Sequence, residues 1–106
     1  MAKHTYKAIL PDGGVVTRTT DRTYTHVIIG RDAETPEAKL FALTWAGNPT
    51  LAENARRVAI GKKREKSILI EGKFYILNDG TQVQKYRSVK TNNPIWADVQ
   101  AIPCTL

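Results

Sequence analysis

The chain has 106 residues, 16 of them basic and 10 acidic, for a formal charge of +6, with 42% hydrophobic and 25% charged residues. That length and balance fit one folded domain spanning residues 1–106 and exclude a disordered chain. A domain of this size buries roughly two-thirds of its unfolded surface without needing staples. Cys104 is the only cysteine, so no internal disulfide can form. No apolar run approaches the roughly 18 residues of a membrane span, and the N-terminus has no apolar leader core. The expectation is a cytoplasmic protein that makes no membrane contact.

In chain order, Thr5-Tyr6-Lys7-Ala8-Ile9-Leu10 reads as a strand, Pro11-Asp12-Gly13-Gly14 as a turn, and Val15-Val16-Thr17-Arg18-Thr19 as its returning arm. Proline presets φ in such a turn, and glycine takes positive φ at little cost. The stretch Arg22–Arg31 is the best candidate for a central strand: it is rich in β-branched and aromatic residues and ends in the apolar run Val27-Ile28-Ile29. Threonines at 17, 19, 23 and 25 carry the period of two expected where one sheet face meets water. The first 30 residues therefore read as a three-stranded antiparallel meander.

Thr35-Pro36-Glu37 then has the chemistry of a helix start, and Ala38, Phe41, Ala42 and Trp45 follow at i, i+3, i+4 and i+7. Gly47-Asn48-Pro49 reads as the stop of that helix. Thr50-Leu51-Ala52-Glu53 matches a capping box opening a second helix, with Leu51, Ala55, Val58 and Ala59 as its apolar face. From Ser67 to Leu77 the pattern is that of a strand, either one long strand or two short ones turning at Glu71-Gly72. Asn78-Asp79-Gly80-Thr81 is a hairpin turn of two residues, or of three with a bulge. Gln82–Lys90 returns from it, and Ile95, Ala97, Val99 and Ala101 alternate as a last strand. The predicted fold is α+β, an antiparallel sheet in βββ-αα-βββ order with two helices packed on one face.

Most chemistries find no spacing that serves them. His4, His26 and Cys104 do not form a zinc signature, and no Gly-x-Ser-x-Gly elbow surrounds Ser67 or Ser88. Pro11–Gly14 joins two strands rather than leading into a helix N-terminus, so it is no phosphate cradle. The chain is read as non-enzymatic and free of cofactor and metal. What stands above background is charge. Arg56, Arg57, Lys62, Lys63, Arg64 and Lys66 cluster with one acid, Glu65, leaving ten basic and nine acidic groups elsewhere. Cations near a helix C-terminus complement its dipole, but the cluster is larger than that role needs, and clustered cations suit an acidic partner. A second surface pairs Lys73-Phe74-Tyr75 with Lys85-Tyr86-Arg87, aromatics set among cations as in base-stacking sheets. The candidate contact residues are therefore Arg56, Arg57, Lys62, Lys63, Arg64, Lys66, Tyr75, Tyr86 and Arg87.

Lys7–Gly14 followed by Arg22–Val27, a glycine-turn hairpin leading into a Thr-Tyr-Thr-His strand, resembles small accessory proteins encoded by bacteriophages. The resemblance covers about the first quarter of the chain. Some such proteins, the anti-CRISPR group among them, block host defence by binding a protein or nucleoprotein. It implies a non-catalytic inhibitor acting in the host cytoplasm on an acidic host protein or nucleoprotein complex. The other reading from the residues is a small DNA- or RNA-binding module built on the 56–66 segment and the strand tyrosines. An uncovered sheet edge also leaves room for a homodimer.

Overall fold

A computed structural model describes residues 2–106. Its order is β1 (His4–Ile9), β2 (Val15–Thr20), β3 (His26–Asp32), β4 (Phe41–Ala46), α1 (Pro49–Gly61), β5 (Lys63–Ile76), β6 (Gln82–Pro94) and β7 (Trp96–Pro103). The chain divides into two compact units, residues 2–62 with Pro94–Leu106, and Lys63–Asn93. Among the described residues there is one helix, and it is neither long nor apolar enough to cross a membrane.

The first unit is organised around β3, the middle strand of an antiparallel sheet in the order β4-β3-β7. Val27, Ile28 and Ile29 have no exposed surface at all. Val27 and Ile29 point to one side, against Ala8 and Leu10 at the β1–β2 hairpin. Ile28 points to the other, against Ala46 and Ala52, with Ala55, Val99 and Ala101 packed around them. Both faces are covered, so the strand is a continuous apolar run rather than an alternating one. Burying each of these side chains stabilises the fold by roughly 1.5–3 kcal/mol.

The βββ-αα-βββ architecture with two helices on one face is not what forms. The segment predicted as the first helix is strand β4, paired with β3 from His26↔Ala46 to Gly30↔Phe41. Thr35-Pro36-Glu37 makes a turn instead of a helix start, with the Ala38 amide donating to the Thr35 carbonyl at 3.0 Å. Proline's fixed φ serves the second position of a turn as well as the first of a helix. The deciding factor is β3 itself. A buried strand must pair its backbone N–H and C=O groups along both edges, and β4 supplies one of them.

Gly47-Asn48-Pro49 accordingly opens a helix rather than closing one. Asn48 is the N-cap, its Oδ1 accepting from the Leu51 amide at 2.8 Å, and Pro49 takes the first helical position. The side expected to be apolar is also rotated. Ala52 and Ala59 are buried, and these small residues let α1 lie close on the sheet, while Leu51 and Val58 are exposed.

The meander is likewise replaced. β1 pairs with β2 from His4↔Thr20 to Ile9↔Val15, but the hairpin packs on the face of β3 rather than beside it. A cross-strand threonine pair does form, Thr5 with Thr19, their hydroxyls 2.9 Å apart. The chain end returns to this hairpin. Cys104 N donates to the Thr25 carbonyl at 3.0 Å, and Lys7 and Thr105 exchange backbone hydrogen bonds at 2.7 and 2.9 Å.

Both neighbours of β3 carry bulges. In β4 the register slips at Leu43, and in β7 it slips where Asp98 adopts φ +53°. Asp98 ion-pairs with Arg31 there. Leu43 and Val99 close over Gly30, where a Cβ would meet Leu43 Cδ1 at 3.1 Å. Ile28, between these two bulged strands, is wholly buried. Ile28→Ala should cost about 2–5 kcal/mol by urea denaturation, with an unchanged m value.

Candidate functional site

The second unit is a long two-stranded antiparallel hairpin, β5 and β6. β5 runs unbroken from Lys63 to Ile76, so Glu71-Gly72 is not a tight turn, although Gly72 has φ +72°. At its tip the Leu77 amide donates to the Thr81 carbonyl at 2.9 Å and the Gly80 amide to the Leu77 carbonyl at 2.9 Å. That is a three-residue loop, Asn78-Asp79-Gly80, with Gly80 at φ +86°. The β1–β2 turn is built the same way. Leu10 N donates to Gly14 O at 2.8 Å, Gly13 N to Leu10 O at 2.9 Å, and Gly13 has φ +87°. In each loop the aspartate clamps the bend, Asp12 Oδ1 accepting from Gly14 N at 2.8 Å and Asp79 Oδ1 from Thr81 N at 2.9 Å. Hydrogen bonds from Thr81, its hydroxyl first and its amide next, hold the Asp79 carboxyl below the usual carboxylate range.

Lys63–Asn93 holds seven basic residues (Lys63, Arg64, Lys66, Lys73, Lys85, Arg87, Lys90) against Glu65, Glu71 and Asp79, a net of +4 in 31 positions. The predicted basic cluster is thereby divided between the two units. Arg56 and Arg57 lie on α1 and converge on one carboxylate. Arg56 Nε and Nη2 donate to the two Glu53 oxygens at 2.8 and 2.6 Å, and Arg57 Nε donates at 3.0 Å. Glu53, expected to reach back to the helix start, points forward to these cations instead. Lys62 is the C-cap of α1, its amide bonded to the Ala59 carbonyl at 3.3 Å. Lys63 and Arg64 begin β5 half-buried, whereas Lys66 is exposed. The base of the hairpin is tied by Ser88 Oγ donating to Glu65 at 2.8 Å and Thr91 Oγ1 donating to the Arg64 carbonyl at 2.9 Å.

Toward the tip the strand alternation sorts the side chains. Lys85 Nζ stands 4.5 Å from the centroid of the Tyr75 ring, so these two share a face. Period-two alternation puts Lys73 and Arg87 on that same face. It puts Phe74, Ile76 and Tyr86 on the other. Tyr75 and Tyr86 therefore do not form one stacking platform, although each is 58% exposed. Near the tip the ribbon has a cationic side and an aromatic-aliphatic side on which Ile76 is 72% exposed, while nearer the base Glu65 and Lys90 share that second side. Spacing in the sequence hides this sorting, because it depends on whether the turn has two residues or three.

His26 Nδ1 hydrogen-bonds the Thr25 hydroxyl at 2.8 Å, and His4 Nε2 donates to the Arg22 carbonyl at 2.9 Å. Burial pushes the Cys104 thiol up, which keeps it protonated. Among the described residues no three His, Cys, Asp or Glu side chains are placed to hold a metal ion. No protein-family model, no curated protein and no solved structure matches the chain.

The Glu53 carboxylate gives the clearest pH signature. Hydrogen bonds from Arg56 and then Arg57 lower its pKa from 4.5 to about 2. A folded pKa below the unfolded one stabilises the helix fully above about pH 4.5, and that contribution is lost as the pH falls through about 2. Carboxyl-detected NMR titration should place the Glu53 midpoint near 2, and Arg56→Gln should move it back toward the ordinary value.

Proposed function

We propose that this chain is a non-catalytic binding protein that engages nucleic acid through the cationic face of its long hairpin. The observation that supports it is the sorting of charge: Lys73, Lys85 and Arg87 share one side of the ribbon with Tyr75. Such cations gain affinity by releasing counterions from phosphates, whatever the base sequence. A two-stranded ribbon is also the right width for the major groove of a duplex. Arg56 and Arg57 lie on α1 in the first unit, paired with Glu53, and are not part of this surface.

A second reading follows from the opposite side of the ribbon. Phe74, Ile76 and Tyr86 offer an exposed surface without charge, suited to the apolar core of a protein contact. In that reading the chain is an accessory inhibitor that sits on an acidic host protein or nucleoprotein, as the phage-type resemblance implies.

Fluorescence anisotropy with a labelled duplex and a labelled single strand separates the two. Three phosphate contacts should lower affinity roughly 40-fold between about 50 and 200 mM salt. Replacing Lys73, Lys85 and Arg87 together with glutamine should reduce the salt slope by about three, while Arg56→Gln with Arg57→Gln should leave it unchanged. Absence of salt-dependent binding to either nucleic acid removes the first reading.

A further inference from the structure

The edges of the β4-β3-β7 sheet are protected unequally. β7 carries a bulged, ion-paired Asp98 and ends at Pro103, devices that discourage another strand from pairing there. β4, Phe41-Ala42-Leu43-Thr44-Trp45-Ala46, has no charge and no proline, and no strand lies beyond it in the sheet. Alongside this unguarded edge runs a groove of about 430 Å³. Its floor includes four consecutive β4 residues, Phe41 to Thr44. Side chains of one sheet face alone cannot supply four in a row, so the groove follows the backbone edge of the strand. Leu43, at the bulge, lines the groove too, with its Cδ1 lying over Gly30.

The opposite wall is a single stripe of α1. Ala55, Val58, Ala59 and Lys62 stand at i, i+3, i+4 and i+7. The Phe41 and Trp96 rings, 5.4 Å apart and edge to face, close one end. Lys62 belongs to that end as well, because its carbonyl accepts from the Ile95 amide at 3.1 Å, next to Trp96. The groove is thus a backbone edge facing an apolar helical stripe, with Lys62 the one charged residue in its lining.

We infer that this groove is a strand-addition site for an extended peptide segment with apolar residues at alternate positions and a carboxylate at the Lys62 end. Main-chain hydrogen bonds to β4 would supply affinity, and the apolar stripe would select every second side chain. The Leu43 bulge keeps the ladder short, so side-chain burial carries much of the selectivity. An acidic residue and a free C-terminus present the same chemistry to Lys62. The site owes nothing to the hairpin, and stands or falls independently of nucleic-acid binding.

Short random peptides with free C-termini, displayed and panned against the whole chain, test it. Enriched sequences should alternate apolar residues and place a carboxylate at one end. A synthetic copy should lose about tenfold or more in affinity when alternate amides are N-methylated. Val58→Glu, at an exposed helical position where circular dichroism should show the fold intact, should cost at least as much. Amidating the C-terminus, or changing the acidic side chain to its amide, tells which carboxylate Lys62 meets. The inference is overturned by no enrichment beyond that of the Val58→Glu chain, or by binding indifferent to N-methylation. A dimer in sedimentation that Val58→Glu abolishes would also overturn it, since a second copy would then occupy the groove.

Discussion

The fold turns on the polar backbone of a strand that has no water on either face. Val27, Ile28 and Ile29 are wholly buried, so the N–H and C=O groups between them can be satisfied only sideways. Leaving each such group unpaired costs about 1–3 kcal/mol, against at most about 0.7 kcal/mol per ordinary residue in helix propensity. That requirement draws β4 and β7 into place on the two edges. The faces are then closed by α1 on one side and the β1–β2 hairpin on the other. Each covering element suits its role: alanines where α1 must come close, and Ala8 and Leu10 where the hairpin end rests on Val27 and Ile29.

The hairpin from Lys63 to Asn93 obeys a different economy. A two-stranded ribbon is marginally stable at best in water, and this one leaves large apolar side chains on both faces exposed. Its order rests on local devices, the aspartate-clamped turn, the Lys85–Tyr75 contact and the bonds from Ser88 and Thr91. Near its tip Lys73, Lys85 and Arg87 stand with Tyr75 on one side, and Phe74, Ile76 and Tyr86 on the other.

How much of this is legible in the residues depends on how many periods a segment satisfies. Val27-Ile28-Ile29 fits only a strand buried on both sides, and β3 is recognisable from it. Both Asp-Gly turns are legible too, because aspartate and glycine at those positions have a specific mechanical role. Phe41–Ala46 is different. With Ala38, its residues satisfy the helical spacing at 38, 41, 42 and 45, and with one bulge they also satisfy the strand spacing. Only the needs of a strand a dozen residues earlier decide between them. Gly47-Asn48-Pro49 is ambiguous for the same reason, since a glycine-to-proline passage closes one helix or opens another depending on what precedes it. The charge cluster at 56–66 is visible as composition. Its division is not, because the pairing of Arg56 and Arg57 with Glu53 and the face on which Arg87 stands are properties of geometry.

One hydrogen bond has a wider implication. The Ile95 amide reaches the Lys62 carbonyl at 3.1 Å, so the chain leaves the first unit and re-enters it at virtually the same point. The arm from Lys63 to Asn93 is in that sense an insertion whose two ends are already stitched together. The bond that joins its two ends belongs to the first unit, so Lys63–Asn93 can be exchanged as one piece without breaking it.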